Sequence, residues 1–282
     1  KDSLKLANYL AEKWFKLRQF KLQDNERNEL PFLSREYSKY VSTQIRLKIQ
    51  LNDLIDKTFP VMKAIVGADN RYELFLNIYE KYWYPTIVLE KSKEDFVTDI
   101  ENMAKKLGHK VGSRIGEKLY EIAPTVITSR PNNEITQLAI TNCILLLRQA
   151  IEVTSTIIAK MDEIASGFEE YKIVSQMKGV GPKTRSRLIA EIGDVRRFKT
   201  ANSLIAFCGI DTPLYQSGRF QATECHITKR GNKNLRKVGY EIMRNLKVCR
   251  PKKDNAVYEY IVKKELEGKP KMVAKIAGLN KF

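Results

Sequence analysis

Apolar positions recur at helical spacing from the first residues of the chain. Between residues 4 and 20, Leu4, Ala7, Leu10, Ala11, Trp14 and Phe15 fall on one face, with Asp2 or Ser3 available as the cap, which predicts an amphipathic helix. The polar run 23–31 breaks that pattern. From Ser34 onward, Tyr37, Tyr40, Gln44, Leu47, Leu51 and Leu54 step by threes and fours, predicting a second helix that Pro60 ends. Residues 61–131 read as shorter helices punctuated by Asp69, Pro85, Gly108, Pro124 and Pro131, with Ser92 and Asp95 spaced as a capping box. The most regular run follows. Ile140, Ile144, Leu147, Ile151, Thr154, Ile158 and Met161 alternate steps of four and three with no Gly or Pro between them. Such a seam belongs to a coiled coil, a long helical hairpin or a buried bundle helix. Its partner is either the 37–54 helix or a second copy of the chain, and in the latter case the seam predicts a dimer.

Beyond residue 171 the pattern predicts a helix, a glycine hairpin, a helix over 182–192, a third over 200–207, an irregular stretch over 209–232 and helices to the end. The chain as a whole is expected to be mainly α. No internal repeat or low-complexity tract is present.

Charge divides the chain where the pattern does. The formal net charge is +17, from 50 Lys and Arg against 33 Asp and Glu; residues 171–282 carry 25 of these bases and 9 of the acids, a net of +16. The first 170 residues are therefore nearly neutral. A basic second part calls for a polyanion. No window reads as the roughly 20 apolar residues of a membrane span, and the bases lie on no strongly apolar amphipathic face, so nucleic acid is the expected partner and a membrane is not. Hydrophobic residues make up 43% of the chain, enough for a core. Cys143, Cys208, Cys225 and Cys249 show no C-x-x-C pairing and the histidines are His109 and His226 alone, which argues against zinc and for a reducing cytoplasm. The chain opens at Lys1 without a methionine or a signal peptide and looks like part of a longer polypeptide.

Two segments could carry chemistry. The first is the hairpin over 177–184. Gly179 and Gly181 permit a tight turn, Pro182 suits the first helical position, and outward-facing amides there, with Lys178, Lys183 and Thr184, could hold a phosphate. This resembles a helix-hairpin-helix, with Arg185 in place of a small residue and looser helix packing expected there. A nucleotide P-loop is excluded because G-x-x-x-x-G-K-[ST] is absent. The second segment is Gln216-Ser217-Gly218-Arg219, followed by Ile227-Thr228-Lys229-Arg230-Gly231-Asn232-Lys233 and Arg236. A serine before glycine is ordinarily a turn residue. Arg219, Lys229, Arg230, Lys233 and Arg236 could neutralise a phosphate under attack by its hydroxyl. His226 is a candidate proton acceptor, although a lone loop histidine is more often incidental.

The string from Gly179-Val180-Gly181 through Ala190-Glu191-Ile192-Gly193-Asp194, Arg197-Phe198 and Phe207-Cys208-Gly209-Ile210 to Gln216-Ser217-Gly218 and 227–233 resembles the C-terminal domain of the IS110 family of insertion-sequence transposases. The resemblance implies that Ser217 is the catalytic nucleophile, forming a covalent phosphoserine with a DNA 5′ phosphate and freeing a 3′ hydroxyl. The N-terminal stretch is similar to the tail of the family's D-x-x-D-A/S motif. That implies that Asp2 is the last of four magnesium-binding carboxylates on a ribonuclease-H-type domain, the other three preceding Lys1; on its own, Asp2 reads as a helix cap. The family further implies a noncoding guide RNA and dimers that assemble into tetramers.

The expected architecture is thus a remnant helix of the catalytic domain at 1–30, a coiled-coil or helical-hairpin region at 31–170, and a compact helical transposase domain at 171–282. The expected function is an RNA-guided DNA transposase in the bacterial cytoplasm and nucleoid, with DNA contacts at Gly179, Gly181, Lys183, Thr184, Arg219, Lys229, Arg230, Lys233 and Arg236. The alternatives are a non-catalytic nucleic-acid clamp that uses the hairpin and the lysines of the tail (Lys252, Lys253, Lys263, Lys264, Lys269, Lys271), or an inactive element copy. A metal-only transposase fits poorly because the acids of the basic part are scattered. A tyrosine recombinase fits poorly because it needs more histidine.

Overall fold

The computed structural model describes residues 2–16, 25–67, 71–212, 216–217, 220–221, 226–251 and 255–282. The fold is mainly α. In chain order the helices are α1 (Asp2–Lys13), α2 (Asn25–Thr58), α3 (Met62–Val66), α4 (Tyr72–Lys81), α5 (Pro85–Leu89), α6 (Lys93–Lys106), α7 (Gly112–Ile122), α8 (Glu134–Ser166), α9 (Glu170–Gln176), α10 (Pro182–Ile192), α11 (Ala201–Cys208), α12 (Lys233–Cys249), α13 (Ala256–Leu266) and α14 (Lys271–Lys281). Two-residue strands β1 (Gln216–Ser217) and β2 (Phe220–Gln221) lie between α11 and α12. The chain forms two compact units, one of residues Glu36–Ile157 and one of Lys1–Arg35 with Ile158–Phe282; both boundaries fall within long helices, α2 and α8.

The Glu36–Ile157 unit settles the partner of the heptad seam. Ile140, Ile144 and Leu147 are almost fully buried, in one cluster with Leu51, Ile55 and Phe59 of α2, Phe75 and Tyr79 of α4, and Phe96 of α6. Each such side chain contributes about 1.5–3 kcal/mol by leaving water. Gln44, at a seam position of α2, donates to the carbonyl of Ala150 and to the Thr154 hydroxyl, and the Cys143 thiol approaches the Leu47 carbonyl at 3.5 Å. Over residues 140–154 of the seam, the partner is therefore α2 of the same chain, the first of the two expected. By length and composition α8 is apolar enough to cross a bilayer, contrary to the sequence expectation, and four of its residues, Ile140, Cys143, Ile144 and Leu147, are buried in this core. Ser92 caps α6 as its spacing predicts, accepting from the Asp95 amide at 3.1 Å.

In the other unit, the core joins Leu188 of α10, Cys208 of α11, Leu235, Val238, Ile242, Met243 and Leu246 of α12, Ile261 of α13 and Ala274 of α14. The α2 helix starts at Asn25 and runs through Pro31, so the polar stretch does not separate it from the segment after Ser34. The missing proline amide forfeits one bond, to the carbonyl of Arg27. The Arg27 side chain is itself anchored: its guanidinium pairs with Glu170, donates to the Gly193 carbonyl at 3.2 Å and lies 4.0 Å from the Phe168 ring centre. Arg185 does not loosen the packing of α9 and α10 as expected. It forms a bidentate pair with Asp162 at 2.8–3.1 Å, donates to Ser175 and stacks 4.4 Å from the Tyr171 ring, whose hydroxyl donates to the same Asp162. One guanidinium thus ties the end of α8 to both helices of the pair.

Candidate functional site

The segment between α9 and α10 turns on Gly179, whose φ of 88° is the left-handed conformation that a side chain disfavours. A Cβ there would also lie 2.9 Å from the Ile242 carbonyl oxygen and 2.9 Å from the Leu246 Cβ, so the turn seats directly on α12. Gly181 caps α10 and Pro182 occupies its first turn. The Thr184 hydroxyl accepts from the Gly181 amide at 3.0 Å and donates to the Gly181 carbonyl at 3.1 Å. Thr184 is 5% exposed, so it shapes the turn and is not presented to a ligand, contrary to the sequence expectation. The Val180 amide bonds the Met177 carbonyl, while the amides of Lys178, Gly179 and Lys183 find no acceptor among the described residues. The side chains of Lys178 and Lys183 are exposed beside them.

The Ser217 loop is closed at its base by backbone. The amide of Thr228 bonds the Asp211 carbonyl at 2.9 Å, that of Lys229 the Gly209 carbonyl at 3.0 Å and that of Asn232 the Phe207 carbonyl at 2.6 Å. The Thr228 hydroxyl adds a 2.6 Å bond to the Asp211 carboxylate. Two glycines permit this closeness. A Cβ on Gly231 would stand 2.1 Å from the Phe207 carbonyl oxygen, and one on Gly209, itself at φ 70°, 2.5 Å from the Gly231 amide nitrogen. Lys229 pays for its place with a φ of 56°, uncommon for a residue with a side chain. Within the loop, Ser217 pairs with Phe220 and Gln216 with Gln221, an antiparallel pairing inside a stretch expected to be irregular. Arg219 lies outside the described residues.

A buried carboxylate locks this base to its surroundings. Glu191 of α10 is 5% exposed; it accepts from the Ser34 hydroxyl at 2.7 Å and from the Asn232 side-chain amide at 3.0 Å. Asn232 in turn caps α12, its side-chain oxygen accepting from the amides of Asn234 and Leu235 at 2.9 and 3.1 Å. Sequence reasoning did not single out Glu191 or Asn232 for this role. An asparagine before a helical run was the available signal for the cap, whereas the contact with Glu191 joins residues 41 apart.

Around the loop base, Lys229, Arg230 and Lys233 are exposed cations. Arg236 is different: its guanidinium donates to the Cys208 carbonyl at 2.8 Å and so braces the loop. Burial pushes the Cys208 thiol up to about 11, leaving it an inert core group. His226 is exposed near the second foot of the loop. Asp2 lies in the first turn of α1, a helix with no buried residue, and no group of three or more His, Cys, Asp or Glu side chains among the described residues could hold a metal ion. A single carboxylate does not fit a hard cation that takes about six oxygens.

Residues 171–259, which contain the hairpin, Ser217, both feet of its loop and α12, match the model of the Transposase IS116/IS110/IS902 family. The chain is also similar to the Insertion element IS110 uncharacterized 43.6 kDa protein of Streptomyces coelicolor, with 20% identity over 237 residues, 84% of this chain and 57% of that one. It is similar to the Transposase for insertion sequence element IS1111A of Coxiella burnetii, with 25% identity over 150 residues, 52% of this chain and 41% of the relative. The chain thus spans little more than half the length of the first of these relatives. Over residues 171–259, the chain is thus similar to the transposases of the IS116/IS110/IS902 family.

Proposed function

We propose that this chain supplies the nucleophile of an insertion-sequence transposase, with Ser217 attacking a DNA phosphodiester. The observation that carries this reading is the clasped base of the Ser217 loop, bonded through residues 207–211 and 228–232 and ringed by Lys229, Arg230 and Lys233. A nucleophile must be held to within about 0.5 Å of its working position, and a loop whose feet are bonded backbone to backbone meets that need better than an open one. Attack forms the Ser217 Oγ–P bond and breaks the P–O3′ bond. The serine gives up its proton and the departing 3′ oxygen takes one up. A 3′ hydroxyl of another strand reverses the step and restores the serine, so the phosphodiester energy is conserved and no nucleotide is consumed.

The other residues act by holding DNA. The free amides at Lys178, Gly179 and Lys183 and the two lysine ammonium groups suit a backbone phosphate, which is the helix-hairpin-helix role. Lys229, Arg230 and Lys233, with Arg219, neutralise charge that develops on the attacked phosphate. A noncoding guide RNA belongs to the same reading, supported by the family resemblance and the +16 net charge of residues 171–282. Magnesium enters this reading through the family resemblance alone, and the chemistry assigned to this chain is binding and attack.

The test uses the protein with its cognate element DNA, guide RNA and magnesium. A DNA–protein adduct that survives denaturation and disappears in Ser217→Ala is the expected result. An adduct that persists in Ser217→Ala removes the assignment, and binding without any adduct favours a non-catalytic clamp.

A further inference from the structure

The buried face of α12 dictates what its opposite face presents. Leu235, Val238, Ile242 and Leu246 point into the core, so Lys233, Lys237, Tyr240, Arg244 and Val248, stepping by fours and threes, line the solvent side. Lys233, Lys237 and Arg244 are exposed and Val248 is 81% exposed. At its C-terminal end the stripe opens into a shallow groove of about 600 Å³ lined by Tyr240, Arg244, Lys247, Val248, Arg250 and Lys275. Three acids of α12, α13 and the turn after it are already committed: Glu241 to Arg187, Glu265 to Lys247 and Glu267 to Lys264. Lys233, Lys237, Arg244, Arg250 and Lys275 consequently have no carboxylate partner among the described residues. Like charges aligned on one face repel each other, and a bound polyanion relieves that repulsion.

We propose that the outer face of α12, together with Arg250 and Lys275, is a track for the phosphodiester backbone of a single-stranded nucleic acid, separate from the 177–184 hairpin. The proposal rests on the nucleic-acid reading above and gives it a second binding surface. Two observations select this ligand. The stripe from Lys233 to Val248 is about 22 Å long at 1.5 Å per residue, enough for several consecutive phosphates. Tyr240 sits among the cations, with the Lys275 ammonium 6.0 Å from its ring centre, and an aromatic face between positive charges suits an unpaired base. The hairpin cannot be the same contact, because Gly179 packs on Ile242 and Leu246, the opposite side of α12. The domain therefore holds two backbone segments, one on each side of this helix.

The test is fluorescence anisotropy of the whole chain across a salt series, using a duplex DNA, a single-stranded DNA and a single-stranded RNA of equal length. In Arg244→Gln/Lys275→Gln the slope of log affinity against log salt on a single-stranded probe is expected to fall by about 1.4, two contacts at roughly 0.7 each. The DNA and RNA arms identify which strand is bound. Tyr240→Ala is expected to weaken single-strand binding about fivefold or more. Val248→Glu removes no cation and touches no core residue, yet places a negative charge in the groove; it is expected to weaken the same probe. Lys178→Gln/Lys183→Gln is expected to lower the slope independently, so that the two losses add. An unchanged slope on every probe in the Arg244/Lys275 variant, or a loss confined to the duplex, overturns the proposal. Ser217→Ala leaves these slopes intact, so a failed adduct assay and a failed track are told apart.

Discussion

A single methyl group at residue 231 would fall 2.1 Å from the Phe207 carbonyl oxygen and 2.5 Å from the Gly209 amide nitrogen, and neither backbone atom can swing aside as a side chain could. Gly231→Ala is therefore expected to cost about 1–3 kcal/mol, read as a lowered urea midpoint at unchanged slope. Gly181→Ala is the control. Gly181 has φ −106° and open space where a Cβ would go, so it should lose less than about 1 kcal/mol. An equal loss in both variants would show that the clasp is not what Gly231 serves. Gly209 was legible as a residue that follows a helix. Gly231 was not, because what forbids its side chain is a strand of backbone more than twenty residues away. The same limit applies to the polar groups. Residue type placed Thr184 and Arg236 among the phosphate binders, and only their neighbours show that Thr184 closes a turn and Arg236 braces a carbonyl.

At the scale of elements, the seam of α8 shows what periodicity does and does not determine. Steps of four and three located one apolar face of a long helix, and α8 is that helix. They could not choose between a partner in the same chain and one in another copy, since both bury the same side chains. Gln44 marks the answer, a polar group whose amide finds the Ala150 carbonyl inside the seam. Ile144 is fully buried in the Glu36–Ile157 unit, so Ile144→Ala should cost about 2–5 kcal/mol in that unit's unfolding. Ile144→Asp should unfold the unit. A folded Ile144→Asp chain that had only dissociated from a second copy, seen by circular dichroism with sedimentation, would contradict this packing. Arg185 teaches the converse lesson. Its bulk suggested loose helices, yet Asp162 and Tyr171 turn it into a fastener, and neither partner adjoins it in sequence.

For the whole molecule, charge and chemistry are divided between units that respond differently to conditions. The Glu36–Ile157 unit contains a carboxylate, Asp99, whose burial would raise its pKa. Hydrogen bonds from Lys81 at 2.6 Å, from Tyr82 and from Lys91 at 3.0 Å outweigh that and hold it well below the ordinary 3.8. A depressed folded pKa means stability that is present above the unfolded value and lost as pH falls through about 4 toward the lower folded value. In thermal melts between pH 6 and pH 2, Asp99→Asn should start lower than the wild type and fall less across the acid range. Parallel curves would contradict the linkage. By itself the sequence determined the mainly helical class, the basic character of residues 171–282, the glycine hairpin and the Ser217 string, because these depend on local spacing, composition and residue type. Only the tertiary structure decided that residues 140–154 of the heptad seam pack on α2 of the same chain, that Glu191 and Asn232 lock the base of the serine loop, and that α12 turns to solvent a basic face with no carboxylate partner among the described residues. Each of these rests on contacts between residues distant in sequence, whose approach is set by burying apolar surface elsewhere in the same unit.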